Sequence, residues 1–292
     1  MAKVLVTGAN GQVGSEIRVL APYFKTADFI FTDRNELDIC NKSNLQDFLD
    51  QNSKIECIIN CAAYTAVDRA QKEREIADAV NHKAVYNLAK EAKKRDIKLI
   101  HISTDYVFDG KNFKPYVETD SVNPQNVYGE TKLAGENAIL QVAPAGAVIL
   151  RTSWVYSSFG ANFVKTMLRL GKERDEIGVV FDQVGTPTYA RDLAETILKI
   201  VEDSLQDKNE PEIYHFSNEG VCSWYDFALE IMYKANLNCR VKPIDTKDFP
   251  TPATRPHYSI LNKSKIKERF GIEIPYWKDS LDKCLKIMGE IE

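Results

Sequence analysis

The hydrophobic and polar positions of this chain alternate between two patterns. Short apolar runs rich in β-branched residues predict buried strands, and longer segments with apolar residues every three or four positions predict amphipathic helices. The predicted strands are residues 3–7, 29–32, 57–60, 98–103 and 147–152. The predicted helices between them are residues 12–21, 45–51, 69–95 and 128–142. This alternation predicts an α/β fold, a Rossmann-type doubly wound parallel sheet with its active crevice at the carboxyl ends of the strands.

The pattern changes after residue 152, where short elements are separated by segments that contain proline and glycine. Helices are predicted at residues 163–172, 193–202, 224–235 and 278–287. We therefore expect residues 1–152 to form a dinucleotide-binding Rossmann domain that also takes part of residues 185–220. Residues 153–292 are expected to form a smaller C-terminal substrate-binding lobe, partly interleaved with that domain. Residues 242–257 contain four prolines and are expected to form a rigid, irregular loop.

The composition is typical of a soluble globular protein, with 292 residues of which 44% are hydrophobic and 27% charged. A net charge of -4 provides no overall basic field for nucleic acid. No apolar run approaches the ~18 to 20 residues of a membrane span, so a cytoplasmic protein is expected. The six cysteines include no Cys-x-x-Cys pair, which favours reduced, packing cysteines over zinc ligands.

A glycine-rich turn follows the first predicted strand. Gly8, Gly11 and Gly14 stand in the segment TGANGQVG and lead into a predicted helix. Glycines in this setting permit a tight turn and close approach of the backbone to a pyrophosphate, whose charge faces the helix N-terminus. An incidental glycine turn is the alternative. The G-x-x-G-x-x-G spacing resembles that of the short-chain dehydrogenase/reductase superfamily. The other turn residues expected to contact a dinucleotide are Asn10, Gln12 and Val13.

Asp33 ends the second predicted strand ~20 residues after the turn, where an acid binds the ribose hydroxyls of adenosine and repels a 2′-phosphate. Arg34 follows it and could pair with the extra phosphate of NADP. We therefore expect NADH or NADPH as the cofactor, with a preference for NADH. By resemblance to the extended branch of the superfamily, the further expected contacts are Asp38, Ile39, Cys61, Ala62, Ala63, Tyr64, Thr65 and Ser103.

A tyrosine and a lysine four residues apart, Tyr128 and Lys132, project from one face of a predicted helix and are expected to contact both cofactor and substrate. The lysine charge favours the phenolate, which would move the tyrosine pKa from ~10 towards the working pH and make Tyr128 a general acid or base. The strand before them ends at Thr104, whose hydroxyl can bind a substrate carbonyl. A pair that only packs and contacts solvent is the alternative. His101, between two isoleucines, is expected to be a core residue rather than the proton donor.

Five further segments are distinctive. They are STDYVFDG (103–110), NVYGETKLAGE (126–136), RTSWVY (151–156), NFVKTMLRLGKER (162–174) and DQVGTPT (182–188). Together they resemble the dTDP-4-dehydrorhamnose reductases, and the resemblance covers nearly the whole chain. The resemblance implies reduction of the 4-keto group of dTDP-4-dehydro-L-rhamnose. It implies that Tyr128 is the proton donor, Lys132 its partner and Thr104 a hydrogen-bond donor.

The same resemblance implies a dTDP-sugar as the partner molecule. The sugar pocket would be lined by Thr65, Val67, Thr104, Asp105, Tyr106 and Trp154. Trp154 offers a flat apolar face to a sugar ring, although an interior tryptophan is an equal alternative. Arg255 is expected to bind the diphosphate because a guanidinium is a planar bidentate donor, a solvated loop arginine being the alternative.

Two other functions stay open. One is a nucleotide-sugar 4-epimerase or dehydratase of the same fold, but related dehydratases carry a glutamate where this chain has Tyr106, which disfavours elimination. The other is a non-catalytic subunit resembling the regulatory subunit of methionine adenosyltransferase, which would not need Thr104, Tyr128 and Lys132 together. A monomer or a homodimer is expected. Members of the family can dimerise through a divalent metal held by C-terminal carboxylates, but the sequence alone assigns no metal site here.

Overall fold

The computed structural model describes residues 1–292 and contains one large sheet, helices on both of its faces and three two-stranded sheets. The strands are β1 (Ala2–Thr7), β2 (Ala27–Thr32), β3 (Ile55–Asn60), β4 (Lys98–Thr104), β5 (Val148–Thr152), β6 (Val155–Tyr156), β7 (Glu176–Val180), β8 (Val184–Gly185), β9 (Thr188–Tyr189), β10 (Glu212–His215), β11 (Cys222–Ser223) and β12 (Arg240–Ile244). The α-helices are α1 (Gln12–Leu20), α2 (Lys42–Gln51), α3 (Val67–Ala70), α4 (Arg74–Asp78), α5 (Ala84–Arg95), α6 (Val127–Val142), α7 (Phe163–Glu173), α8 (Ala190–Ser204), α9 (Trp224–Lys234), α10 (Ser264–Phe270) and α11 (Trp277–Ile287). A π-helical turn covers Ala79–Lys83 and a 3₁₀ turn covers Asp105–Val107.

The large sheet has the strand order β10-β5-β4-β3-β1-β2, and every pairing within it is parallel. β1 has β2 on one side and β3 on the other, so the chain changes its winding direction at β1 and β3. In doubly wound sheets a ligand crevice opens at the carboxyl ends of the strands at such a point. The structure thus confirms the predicted α/β fold with a doubly wound parallel sheet.

Alternate residues of β1 enter the cores on opposite faces of the sheet. Val4 and Val6 pack in the core that α1 and α8 cover, and Leu5 packs in the core that α2, α5 and α6 cover. A separate core lies among α7, α9 and α11 and is centred on Phe227 and Trp277. No helix of the structure has both the length and the apolar character needed to cross a membrane.

The predicted helix at residues 69–95 is wrong as a single element, because the structure divides it into α3, α4, the π-helical turn and α5. The cause is a tertiary contact within the π-helical turn. The side chain of Asn81 accepts the N–H of Tyr64 at 2.8 Å and donates to the carbonyl of Tyr64 at 3.1 Å. Such a contact favours a local departure from regular helix geometry.

The predicted loop at residues 242–257 is partly wrong, because Lys242, Pro243 and Ile244 belong to β12. β12 pairs only with β7, and an edge strand can accommodate the missing N–H of Pro243. The five predicted strands of the large sheet are confirmed to within two residues. Its sixth strand, β10, and helix α10 were not predicted.

Candidate active site

The turn after β1 has no room for side chains at its glycines. Gly8 has a φ of +64°, and a Cβ there would lie 2.6 Å from the Cα of Ala62, which follows β3. A Cβ at Gly14 would lie 2.6 Å from the Cα of Ala9. The N-cap residue of α1 is Gly11, so no side chain occupies the free N–H groups of the first turn. Bare backbone at a helix N-terminus is the arrangement that accepts a pyrophosphate, so the turn fits a dinucleotide.

A cleft of about 760 Å³ extends from this turn along the ends of β1, β2 and β3. The predicted cofactor residues that line it are Gly8, Gly11, Asp33, Arg34, Asp38, Ile39, Cys61, Ala62, Ala63 and Tyr64. The Asp33 carboxylate accepts the N–H of Asn35 at 2.7 Å and a hydrogen bond from the amide of Asn10. The Arg34 side chain is 88% exposed and lies 3.9 Å from Asp38. An acid and an exposed arginine therefore both line this cleft.

Other predicted cofactor residues have protein partners. Val13 packs in the core under α1, and the Gln12 side chain accepts from Asn162 at 3.0 Å and donates to the carbonyl of Val155 at 3.3 Å. The hydroxyl of Ser103 donates to the buried carboxylate of Glu136 at 2.5 Å. Gln12 therefore connects the glycine turn to the segment that follows β6.

The outer wall of the cleft comes from residues that the sequence did not single out. They are Leu37, Arg69, Glu73, Glu75, Ile76, Ala79 and Val80. Glu73 accepts from Arg69 at 2.9 Å and from the hydroxyl of Tyr64. The i, i+4 spacing of Arg69 and Glu73 is visible in the sequence, whereas their position beside the cleft comes from the fold.

The reacting end of the crevice combines the end of β4 with the start of α6. Asn126 caps α6 by accepting the N–H of Gly129 at 2.9 Å, and a Cβ at Gly129 would lie 2.2 Å from the carbonyl oxygen of Tyr106. The first turn of α6 thus lies directly against the 3₁₀ turn after Thr104. The rings of Tyr106 and Tyr128 meet edge to face with their centroids 5.6 Å apart. Thr104, Tyr106, Tyr128 and Lys132 therefore share one end of the crevice.

Burial is the main cause of the pKa shifts of the titratable groups at this end of the crevice. Burial raises the pKa of Tyr128 to about 12, against a smaller lowering by the hydroxyl of Thr104. Burial also raises the pKa of Asp105 to about 7, and its Oδ2 has no hydrogen-bond partner while Oδ1 accepts from Thr104 at 3.0 Å. Burial lowers the pKa of Lys132 to about 8.

The expected lowering of the pKa of Tyr128 by Lys132 is wrong for this structure. The Nζ of Lys132 donates to the carbonyl of Ile102 at 2.6 Å and lies 3.2 Å from Nε2 of His101. The lysine amine is therefore engaged on the protein side, and burial of the phenol dominates the pKa of Tyr128. At neutral pH Tyr128 is protonated, which is the state of a proton donor.

The residues predicted around the sugar lie at the same edge of the sheet. Thr104 pairs with Thr152 across β4 and β5, and Trp154 follows two residues later with a φ of +49°. One face of the Trp154 indole stacks on Trp224, with ring centroids 3.5 Å apart, and Gly185 leaves the room for it. Only the other face of Trp154 is left for a ligand.

Arg255 is held by a partner that the sequence did not indicate. Its guanidinium donates to both carboxylate oxygens of Asp68, at 3.0 and 2.7 Å, and these bonds hold the pKa of Asp68 below its ordinary value. Asp68 directly follows Val67 at the start of α3, and Thr65 is exposed just before them. The ion pair connects the proline-rich loop to the segment that carries Thr65 and Val67.

Nearly the whole chain matches known proteins. Residues 2–289 match the family described as RmlD substrate binding domain. A dTDP-4-dehydrorhamnose reductase of Aggregatibacter actinomycetemcomitans is 43% identical over 289 residues, which cover 96% of this chain and 97% of that protein. The chain belongs to the dTDP-4-dehydrorhamnose reductase family. The resemblance described from the sequence is thereby confirmed.

Solved structures of dTDP-4-dehydrorhamnose reductases share this fold. The structure of the Clostridium acetobutylicum protein is 42% identical, with a TM-score of 0.92, and the match covers 98% of this chain and 99% of that one. The Bacillus anthracis dTDP-4-dehydrorhamnose reductase, solved in complex with NADP, is 40% identical with a TM-score of 0.92, covering 98% and 100%. This member of the dTDP-4-dehydrorhamnose reductase family is therefore an oxidoreductase that uses a nicotinamide cofactor.

Proposed function

We propose that the protein reduces the 4-keto group of dTDP-4-dehydro-L-rhamnose to give dTDP-L-rhamnose, with NADH or NADPH as the reductant. The observation that carries the proposal is the family match over residues 2–289, combined with Thr104, Tyr128 and Lys132 at one end of the crevice. The reduced nicotinamide supplies a hydride to the keto carbon. One proton on the oxygen then completes the alcohol.

Tyr128 is the proton donor in this proposal. Its raised pKa keeps the phenol protonated at neutral pH, and its ring lies against Tyr106 at the substrate end. Thr104 donates a hydrogen bond to the substrate oxygen as the C=O bond loses its double-bond character. Lys132 binds the nicotinamide ribose, and its charge favours the phenolate that remains after proton transfer.

The remaining predicted residues bind the two ligands. The glycine turn with Gly8, Gly11 and Gly14 binds the pyrophosphate through backbone N–H groups, and Asp33 accepts hydrogen bonds from the adenosine ribose hydroxyls. We propose that NADH is preferred and that NADPH is accepted, since the exposed Arg34 can turn towards a 2′-phosphate. The sugar lies among Thr65, Val67, Asp105, Tyr106 and the free face of Trp154. Arg255 serves the diphosphate by holding the loop at Asp68 and offering its remaining N–H groups.

The C-terminal glutamates support no metal site within one chain. Glu290 pairs with Lys172 at 2.7 Å, and nowhere do three or more metal-ligating acidic, histidine or cysteine side chains gather. We propose a monomer or a homodimer, and sedimentation with and without a chelator shows whether a divalent metal holds two chains together.

The proposal is tested by mixing the purified protein with dTDP-4-dehydro-L-rhamnose and each reduced coenzyme in turn. We expect one coenzyme to be oxidised for each dTDP-L-rhamnose formed. Tyr128→Phe is expected to lower kcat by ~10² to 10⁴, the contribution of a positioned acid. Tyr233→Phe makes the same chemical change at a side chain that is 79% exposed and should leave kcat unchanged. Product without net coenzyme oxidation would establish an epimerase instead, and full activity of Tyr128→Phe would exclude Tyr128 as the donor.

A further inference from the structure

A chain of buried polar side chains runs beneath the crevice from the glycine turn to the catalytic lysine. Thr7, Asn60 and His101 occupy neighbouring positions on β1, β3 and β4. The hydroxyl of Thr7 donates to Oδ1 of Asn60 at 2.7 Å, and Nδ2 of Asn60 lies 2.9 Å from Nδ1 of His101. Nε2 of His101 lies 3.2 Å from Nζ of Lys132. All four residues are buried: the relative exposures of Thr7, Asn60, His101 and Lys132 are 2%, 1%, 0% and 1%.

The orientation of Asn60 is determined by a donor that cannot change its role. The backbone N–H of Ala62 donates to Oδ1 of Asn60 at 3.2 Å, so this atom is the amide oxygen. The NH₂ group of Asn60 therefore faces His101 and donates to its Nδ1. A neutral imidazole that accepts at Nδ1 carries its proton on Nε2. His101 therefore directs an N–H at Lys132.

The N–H of His101 determines which protonation state of Lys132 can complete this series of hydrogen bonds. An ammonium group has three donors and no acceptor, whereas an uncharged amine has a lone pair. Lys132 already donates to the carbonyl of Ile102 at 2.6 Å. Only the uncharged amine can donate to Ile102 and accept from His101 at the same time. A charged Lys132 would place two donors against each other in a buried site.

We propose that His101 is a positioning residue whose Nε2–H, oriented by Asn60 and Thr7, stabilises the uncharged amine of Lys132 in the ligand-free crevice. His101 acts through Lys132 and does not touch the substrate. The inference rests on the proposed function only for its consequence in the reaction. There, Lys132 leaves His101 and is fully charged when it binds the ribose, so coenzyme binding above about pH 8 takes up a proton.

The other titratable groups around Lys132 do not change the conclusion that the N–H of His101 favours the uncharged amine. Glu136 lies one turn further along α6, and its charge favours the ammonium form, but its carboxylate is occupied by Arg151 and Ser103. The thiol of Cys61, at the end of β3, has its pKa raised to about 12 by burial and is neutral. Burial lowers the pKa of His101 well below its usual value, with a further lowering from Lys132. His101 therefore stays neutral, and Lys132 is the group of this pair that titrates near the working pH.

The first test measures the tautomer of His101 in the coenzyme-free protein by ¹⁵N and ¹³C NMR of labelled histidine. We expect a neutral Nε2–H tautomer that does not titrate between pH 5 and 9. His215 is an internal control, because it is also buried but its Nδ1 lies 3.1 Å from the carbonyl oxygen of Tyr116 and must carry the proton. One spectrum should thus show opposite tautomers at the two buried histidines. An Nδ1–H tautomer at His101, or titration near pH 6.5, would overturn the proposal.

The second test replaces the donor with a side chain that can accept. In His101→Gln the amide oxygen can face Lys132, which favours the ammonium form. We expect the pH at which Lys132 loses its proton, followed by NMR of ¹³C-labelled lysine, to rise by about one unit. The pH at which kcat/KM falls on the alkaline side should increase by the same amount, because the charged lysine is the active form. His215→Gln makes the same substitution away from Lys132 and should move neither value.

The outcomes separate positioning from structural support. If His101→Gln lowers activity equally at every pH and leaves the lysine titration unchanged, His101 only supports the fold and the proposal is wrong. If the variant does not fold, the tautomer in the unaltered protein decides alone. Neither NMR measurement requires turnover, so failure of the proposed reductase activity is recognised separately in the coenzyme oxidation assay.

Discussion

Replacing Arg151 by methionine tests the buried ion pair behind the catalytic helix. The side chains of Arg151 and Glu136 are only 3% and 1% exposed. The guanidinium donates to both carboxylate oxygens, at 3.0 and 2.7 Å, and Ser103 donates to the same carboxylate. Without Arg151 the carboxylate is left buried with one hydroxyl as its partner. We expect the free energy of unfolding to fall by about 3 to 5 kcal/mol, the usual cost of removing one member of a buried pair.

The assay is urea denaturation followed by circular dichroism and tryptophan fluorescence. Arg169→Met is the matched control, because Arg169 pairs with Glu173 on α7 with both side chains more than half exposed. It should change the free energy of unfolding by less than about 0.5 kcal/mol. Adding Glu136→Gln to Arg151→Met removes the unpaired charge and should recover about 2 kcal/mol or more. A loss below about 1 kcal/mol in Arg151→Met, or a double variant no more stable than the single one, would refute the reasoning.

Two further predictions concern the coenzyme cleft. Gly8→Ala places a methyl group 2.6 Å from Ala62 in a backbone conformation that disfavours alanine, so coenzyme affinity should fall by ~10-fold or more, as measured by fluorescence titration; Gly271→Ala, with a φ of +59° and no atom within 4 Å, should bind coenzyme normally. Arg34→Ala should lower kcat/KM with NADPH by ~10-fold and leave NADH unchanged, since only the 2′-phosphate needs a cationic partner. Equal losses with both coenzymes would show that Arg34 contributes through Asp38 instead.

Most of the large sheet could be predicted because its strands are continuous apolar runs, as in sheets covered on both faces. The helices at α1, α7 and α9 could be predicted for the same kind of reason, since each has one apolar stripe. The break in residues 69–95 could not. It depends on Asn81 reaching both backbone groups of Tyr64, a contact between two segments that the local pattern does not connect.

The site also contains features that are local in the sequence and features that depend on distant contacts. The glycine turn and the spacing of Tyr128 and Lys132 are local features, so their place in the crevice follows from the fold class. The partners of Arg255 and Trp154 are not local, because Asp68 is 187 residues from Arg255 and the ring that packs on Trp154 is Trp224, the first residue of α9. The sequence around Arg255 or Trp154 does not indicate which distant residue its side chain will contact. Their effect is to occupy one face of the indole and part of the guanidinium.

The glycine turn and the tyrosine-lysine pair are separate motifs in the sequence but one hydrogen-bonded unit in the structure. Parallel pairing aligns Thr7 with Asn60 and Asn60 with His101, so the residue before the first glycine is connected to the amine of Lys132. Burying these polar groups is unfavourable unless every donor meets an acceptor. That condition makes the protonation of Lys132 depend on the register of three strands. A shift of β1 that repositioned the coenzyme would therefore also change the charge of the group that assists the proton donor.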